Sequence, residues 1–441
     1  MSEYRTILQR ARDQFPAPEI PLDGLLRRRD RKQRNRRIGT ATLAIVVAAA
    51  AIGGLVRAFH LTEAPRPASL PSTSDAWSRV VLEPGQVVNA LSAGGPGLVA
   101  VGSDDSKAAV WTSTDGRTWS PVADLGGGDI RDVTVGGPGL VAVGTGDPVG
   151  LSVGAVWTST DGLTWNRAPE EPVFDGALLQ AVTAAGPGFV AVGTTPGGPQ
   201  AWYSSDGLTW EEASVPPAPP DIAPDGDRAS AFMFDLAAVG DRLIAVGEVG
   251  ISCGEGCGRP KMLMWTSTDG IAWAKVPLDK DVFPRLSKIR SVAEGMDGLV
   301  AVGDDTPSGP VDHIGVWTSA DGLSWSRAPS DQAAFVPLTQ SDPDKGTLFG
   351  MWAIAVGSGG FVAAGVDGYC PGGTECPWSE AAVWTSANGR AWVRVPPGPV
   401  FQVGGTGWVS ARTVASWGSR FVAGGEYGNR WAIWISEQPQ G

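Results

Sequence analysis

The sequence predicts an all-β chain: a seven-bladed β-propeller of four-stranded antiparallel blades, its last blade closed by an N-terminal strand, and preceded by a single transmembrane helix. Three observations lead there. A phrase of the form Gly-Leu-Val-Ala-Val-Gly begins at residues 97, 139, 188, 242, 298, 360 and 420, with conservative changes such as RLIAVG and GFVAAG. Each copy is followed by a second phrase, AVWTSTDGRTW in its first instance, which is cut short to AIWIS in the last. Finally, 61 Gly and 35 Pro in 441 residues leave little room for long soluble helices, which excludes an all-α fold.

Within each unit the residues read as four short strands. An apolar alternation such as Asp132-Val133-Thr134-Val135 makes the first, and the Leu-Val-Ala-Val phrase makes the second. Val-Trp-Thr-Ser makes the third, and the fourth begins at the second tryptophan. Asp-Gly, or Asn388-Gly389 in the sixth unit, joins the last two strands, because glycine accepts the positive φ that a tight turn demands. Radial repetition of such meanders hides sheet edges, which is how a propeller solves the edge-strand problem.

The seventh unit stops at Trp434-Ile435-Ser436 and so has three strands. Residues 76–82, with Trp77, stand alone before the first unit and match a fourth strand. The N-terminal strand is therefore expected to complete the last blade and lock the ring. Fourteen of the 19 tryptophans then recur at two positions per blade, where they are expected to form the core between blades.

The charge is uneven. Residues 1–37 carry 11 Lys/Arg against 5 Asp/Glu, residues 38–56 (IGTATLAIVVAAAAIGGLV) carry none, and the remainder carries 23 Lys/Arg against 41 Asp/Glu. Nineteen uncharged residues at about 1.5 Å each span the hydrocarbon of a bilayer as one uncleaved signal-anchor helix. The basic flank places residues 1–37 in the cytoplasm and the propeller outside the cell membrane. The domains expected are a basic tail (1–37), a transmembrane helix (38–56), a Pro/Ser/Thr-rich linker (57–75) and the propeller (76–441). Cys253 with Cys257, and Cys370 with Cys376, then lie in an oxidising compartment, where disulfides are the expected state. Which cysteine pairs with which is open. A strongly acidic outer part disfavours nucleic acid as a partner.

Binding is expected on the face that carries the long connections, those between the second and third strands and between blades. At the head of the innermost strand, alignment of the repeats gives one residue per blade: Asn89, Arg131, Gln180, Phe234, Arg290, Trp352 and Arg412. This ring could hold an anionic or glycan ligand. A competing reading pairs Arg290 with Asp304 and Arg412 with Glu426 as cross-strand ion pairs. That would leave Arg131, facing Thr145, as the arginine without a carboxylate and the first ligand candidate. Asp304, Asp305, Asp342 and Asp344 could bind calcium, although scattered loop carboxylates are usually solvated, and no other cofactor or metal is expected.

The phrase Ser113-Thr114-Asp115-Gly116-Arg117-Thr118-Trp119 resembles the Asp box of BNR repeats in bacterial sialidases and related propellers, with one residue fewer between Asp and Gly. The short basic tail also resembles those that precede the single helix of other GC-rich bacterial membrane proteins. The first resemblance implies a β-propeller whose box is a peripheral structural turn, so that Asp115, Asp161, Asp206, Asp269 and Asp321 are not catalytic. It further implies that any sialidase-like glycoside hydrolysis needs an arginine set and a Tyr–Glu pair. Of the tyrosines, only Tyr427 beside Glu426 offers one, and the arginine motif of the family's first blade is absent. The expected function is a membrane-tethered, extracytoplasmic, non-catalytic module binding a ligand or partner. The alternative is a divergent sialidase-like glycoside hydrolase.

Overall fold

Seven four-stranded antiparallel sheets make up the computed structural model, which describes residues 70–437 apart from 123–124, 138, 147–152, 187, 218–227, 253–260, 285–286, 306–312, 339–346, 370–377 and 404–406. The predicted tail, the membrane span 38–56, most of the linker and all four cysteines lie outside the described residues. No helix among those described is long and apolar enough to cross a membrane.

Blade by blade, the innermost strands are Gln86–Gly94, Asp129–Gly136, Leu178–Ala185, Arg228–Val239, Ser287–Gly295, Thr347–Gly357 and Val409–Trp417. Each contacts the innermost strand of the blade before and after it, and the first meets the last, so the ring is closed. As expected from the truncated seventh unit, Trp77–Val81 is the outer strand of blade 7, pairing Trp77 with Ser436 and Val81 with Ala432. The propeller extends slightly further back than residue 76. Pro71 is buried, and Leu70 packs against the core between blades 6 and 7.

The tryptophans sit where the repeat puts them. Those of the third strands, from Trp157 to Trp434, are fully buried between blades. Among them, the indole N–H donates to a carbonyl of the connection entering its own blade in Trp202 (to Val173 at 3.1 Å), Trp317 (to Val282 at 2.9 Å), Trp384 (to Ala334 at 2.8 Å) and Trp434 (to Val400 at 2.8 Å). A buried indole thus contributes its apolar area and also satisfies a connector carbonyl. The second tryptophan of each unit stands mostly just before the fourth strand. There its N–H caps the turn, as Trp165 does on the carbonyl of Gly162 at 3.0 Å.

The turn before it is tied by side chains. The Asp115 carboxylate accepts the N–H groups of Arg117 and Thr118 at 2.8 and 2.7 Å, while Ser113 Oγ accepts that of Gly116 at 2.8 Å. These donors hold Asp115 down at a pKa of about 2. The same bonds recur at Asp161, Asp206, Asp269 and Asp321, and Asn388 makes them with its amide oxygen. Because a neutral amide serves as well, these carboxylates are turn acceptors. That agrees with the structural role expected of them.

One regular feature was not anticipated. In every blade the pairing of the first and second strands skips one residue, and the seven skipped residues are Asn89, Arg131, Gln180, Phe234, Arg290, Trp352 and Arg412. They are the seven ring candidates. A β-bulge leaves its extra residue unpaired and re-aims its side chain. The preceding residue is anchored in the core, as Val88, Ile130, Leu179, Met233, Ile289 and Met351 are at 0% exposure.

The opposing strand accommodates the bulge with a glycine. A Cβ built on Gly102, Gly144, Gly193, Gly247, Gly303, Gly365 or Gly425 would lie 1.9 to 2.1 Å from a first-strand carbonyl oxygen. No heavy atom tolerates that approach, so the last glycine of each Leu-Val-Ala-Val-Gly phrase is demanded by the bulge it faces.

Candidate functional site

Antiparallel connectivity sends the short turns to one end of the ring and the long connections to the other. The bulges stand near that second end, at the mouth of the central channel. Parts of the long connections lie outside the described residues, among them 147–152, 218–227, 253–260, 306–312, 339–346 and 370–377, so the site is built here from strand ends. A cavity of about 500 Å³ opens there. It brings together Gln180, Phe234, Arg290, Trp352 and Arg412 of the predicted ring with Phe232, Glu248 and Lys288. The last three escaped the sequence reading because it sampled one aligned position per strand.

Charges at the mouth come in pairs. Arg290 donates through Nε to Asp304 at 2.8 Å, with Nη2 at 2.6 Å from the same oxygen. Arg412 Nη2 lies 3.1 Å from Glu426, and Lys288 Nζ 2.9 Å from Glu248. Both anticipated ion pairs therefore form, but diagonally. Strand register sets Lys288 opposite Asp304 and Ser410 opposite Glu426, and the bulge swings each arginine back to its carboxylate.

Arg131 departs from expectation. It does not lack a carboxylate, since its Nη2 lies 3.0 Å from Asp129 two residues earlier on the same strand. Residues i and i+2 share a face of a strand, and the bulge at Arg131 frees its side chain from the cross-strand partner that a regular ladder would give it. Asp129 is held in turn by Asn89 of blade 1, whose amide donates to its Oδ1 at 2.6 Å and to the carbonyl of Ile130 at 2.8 Å. Ring candidates from blades 1 and 2 thus join in one network.

The aromatic members are covered by cations. Trp352 of blade 6 is approached from the neighbouring blade on each side, with Arg290 at 5.6 Å and Arg412 at 4.9 Å from its ring centroid. Lys288 stands 5.5 Å from the ring of Phe234. Such cation–π contacts fix both partners.

One residue past the bulge, the innermost strands of blades 2 and 4 carry Asp132 and Asp235. Each ties its blade to the next. The N–H of Val182 donates to Asp132 at 2.8 Å and that of Val292 to Asp235 at 2.9 Å. Loss of hydration on burial, the larger cause, outweighs these bonds and pushes Asp132 up to about 7 and Asp235 to about 6; the charge of Asp235 adds to the rise at Asp132. Because the folded pKa exceeds the unfolded one near 3.9, the fold binds more protons, and these groups favour it most at low pH. Their contribution is expected to fall as pH rises from about 4 to 7, with partial solvent contact along the channel limiting the loss to about 2 kcal/mol. Urea unfolding at a series of pH values checks this. Asp132→Asn should flatten the slope, and an unchanged slope would contradict the assignment.

The residues named for sialidase-like chemistry do not converge. Glu426 and Tyr427 are successive residues of one strand and so point to opposite faces of the sheet. Glu426 accepts from the Trp408 indole and from Arg412, whereas the Tyr427 ring lies 3.9 Å beneath the Arg79 guanidinium from the outermost strand of blade 7. Of the calcium candidates, Asp304 is held by Arg290 and the fully buried Asp305 by Arg327, while Asp342 and Asp344 lie outside the described residues. Among the described residues no three His, Cys, Asp or Glu side chains converge. A buried charge cluster in blade 6 was also not foreseen. Arg394 bridges Asp367 at 2.6 Å and Glu380 at 2.8 Å, and burial raises the Glu380 pKa despite that contact.

Comparison with known proteins agrees with the fold and goes no further. Residues 150–352, from blade 2 into the first strand of blade 6, match a family model described as the DUF6242 beta propeller domain. No curated protein matches the chain. Among solved structures, the hydrazine synthase of Kuenenia stuttgartiensis is similar at 10% identity and a TM-score of 0.47, covering 80% of this chain and 96% of that one. A thermostable family-43 glycoside hydrolase is similar at 13% identity and a TM-score of 0.33, covering 59% and 88%. A further glycoside hydrolase is similar at 13% identity and 0.35, covering 70% and 86%. Likenesses this distant carry no chemistry across, and the sequence match over 150–352 is to a β-propeller domain.

Proposed function

We propose that the chain is a membrane-tethered, extracytoplasmic β-propeller that binds a ligand or partner at the mouth of its channel without transforming it. The observation that carries this reading is the set of seven bulges, which turn one side chain per blade out of the sheet ladder, five of them lining one cavity. A scaffold that repeats this deviation seven times, with amide, guanidinium and aromatic residues in turn, is built to present side chains. Catalysis would need a nucleophile or a free acid–base group at the same place. Asp129, Glu248, Asp304 and Glu426 are each engaged by a cation, Asp132 and Asp235 are held by N–H groups of the next blade, and Tyr427 lies against Arg79. The tether and the outward orientation rest on the uncharged segment 38–56 and its basic flank.

The test is an activity panel. Full-length protein in detergent, incubated with a fluorogenic sialoside and a set of fluorogenic glycosides, is expected to release no fluorophore above the blank. Turnover that disappears in Tyr427→Phe would overturn the binding reading in favour of a sialidase-like hydrolase.

A further inference from the structure

We infer that the ligand of this mouth is a neutral, hydroxyl-rich molecule, a saccharide without carboxylate or phosphate, and not an anion. The inference rests on the binding reading above and goes on to the chemistry of what is bound. Three arginines and a lysine at the mouth suggest at first an anion site. Their partners cancel that suggestion: Arg131, Lys288, Arg290 and Arg412 face Asp129, Glu248, Asp304 and Glu426, so these four pairs sum to no net charge.

An anion entering this mouth would meet Glu248 beside the cations that line the cavity. It would have to compete with bonds already made at 2.6 to 3.1 Å. Neither process returns the desolvation it costs. A hydroxyl group is different, because it donates and accepts at once and suits a place where donors and acceptors alternate. Arg290 spends Nε and Nη2 on Asp304, which leaves Nη1 to face a ligand. Each carboxylate keeps lone pairs for a ligand O–H. These planar groups are already fixed by ion pairs and by Trp352, so a ligand finds them preorganised.

Trp352 holds the specificity in this arrangement. With a guanidinium at 5.6 Å and another at 4.9 Å from its ring, the indole sets the spacing of Arg290 and Arg412. It acts as a positioning residue for the two donors. The cavity of about 500 Å³ falls within the range of small-ligand sites and suits an oligosaccharide end.

Lactose and 3′-sialyllactose make a direct test, since they share a core and differ by one carboxylate-bearing sugar. Maltotriose, cellotriose and chitotriose widen the neutral set. Calorimetry on the full-length chain is expected to show binding of at least one neutral sugar, with a Kd that changes less than about twofold between low and high salt. Trp352→Ala and Arg412→Gln should each weaken it by about tenfold or more, while Leu323→Ser on the opposite face leaves it unchanged and all three keep the parent Tm. Tighter binding of 3′-sialyllactose than lactose, with affinity falling steeply in salt, would overturn the neutral class and leave the binding reading standing. Failure of every neutral sugar to bind would also overturn it. Hydrolysis of 3′-sialyllactose would instead defeat the binding reading itself.

Discussion

Gly303→Ala is expected to destabilise the propeller by about 3 kcal/mol, at the upper end for adding one methyl group to a packed interior. The reason is the position of the neighbouring backbone. A Cβ at residue 303 would lie 2.0 Å from the carbonyl oxygen of Lys288 and 3.0 Å from the N–H nitrogen of Arg290. Side chains can rotate away from an intruder, but a strand backbone moves only by giving up its ladder. Two outcomes are expected together. The midpoint of urea unfolding falls, and the Arg290–Asp304 pair, which depends on the bulge, loosens. Gly298→Ala tests a different glycine of the same blade, one that sits at a φ of +111° in the turn. Its strain arises at the turn and should leave the mouth intact. A Gly303→Ala protein with unchanged stability would show that the bulge is not held by this contact.

Trp77→Ala is expected to cost about 4 kcal/mol and to broaden the unfolding transition. Trp77 is 4% exposed and packs 6.0 Å from the ring of Phe401, at the point where the first described strand joins the last blade. Removing it leaves a large cavity in the core between blades 6 and 7 and loosens the strand that fastens the two ends of the ring. Differential scanning calorimetry with simultaneous fluorescence detection checks the result. Loss of agreement between the two transitions is expected, because a ring opened at one blade can unfold from that edge. A single sharp transition at the parent temperature would argue that closure does not depend on this residue.

Most of the fold was written plainly in the sequence, and the repeat explains why. Seven copies of one supersecondary unit average out local ambiguity, so strand order, turn positions and the missing strand of blade 7 could all be read from alignment. Alignment also singled out the seven residues that the strand pairing skips. What alignment did not supply was geometry. The expectation of a continuous ladder put Arg131 across from Thr145, whereas the skipped residue lets it reach Asp129. The clue was present all the same. A glycine kept at one place within seven apolar strands is poor for strand stability and marks either a bulge or a close approach. Here it marks both. Asp132 and Asp235 were harder to foresee, since their partners are N–H groups of another blade and no side-chain pattern announces a backbone donor.

The bulges also bear on how such a protein can change over time. A residue within a ladder is judged by its cross-strand neighbours and by how well it suits an extended backbone. The seven skipped residues have no ladder partner and are relieved of both demands, and they include an amide pair, three guanidinium groups and two aromatic rings. Each blade thus provides an interchangeable socket at the same height around one axis. Where the socket holds no ion pair within its own sheet, as at Gln180, Phe234 and Trp352, exchange need not be matched by compensating change there, whereas Arg131, Arg290 and Arg412 are each bound to a carboxylate of their own sheet, so a lineage can vary part of the mouth while the ring beneath it is inherited unaltered.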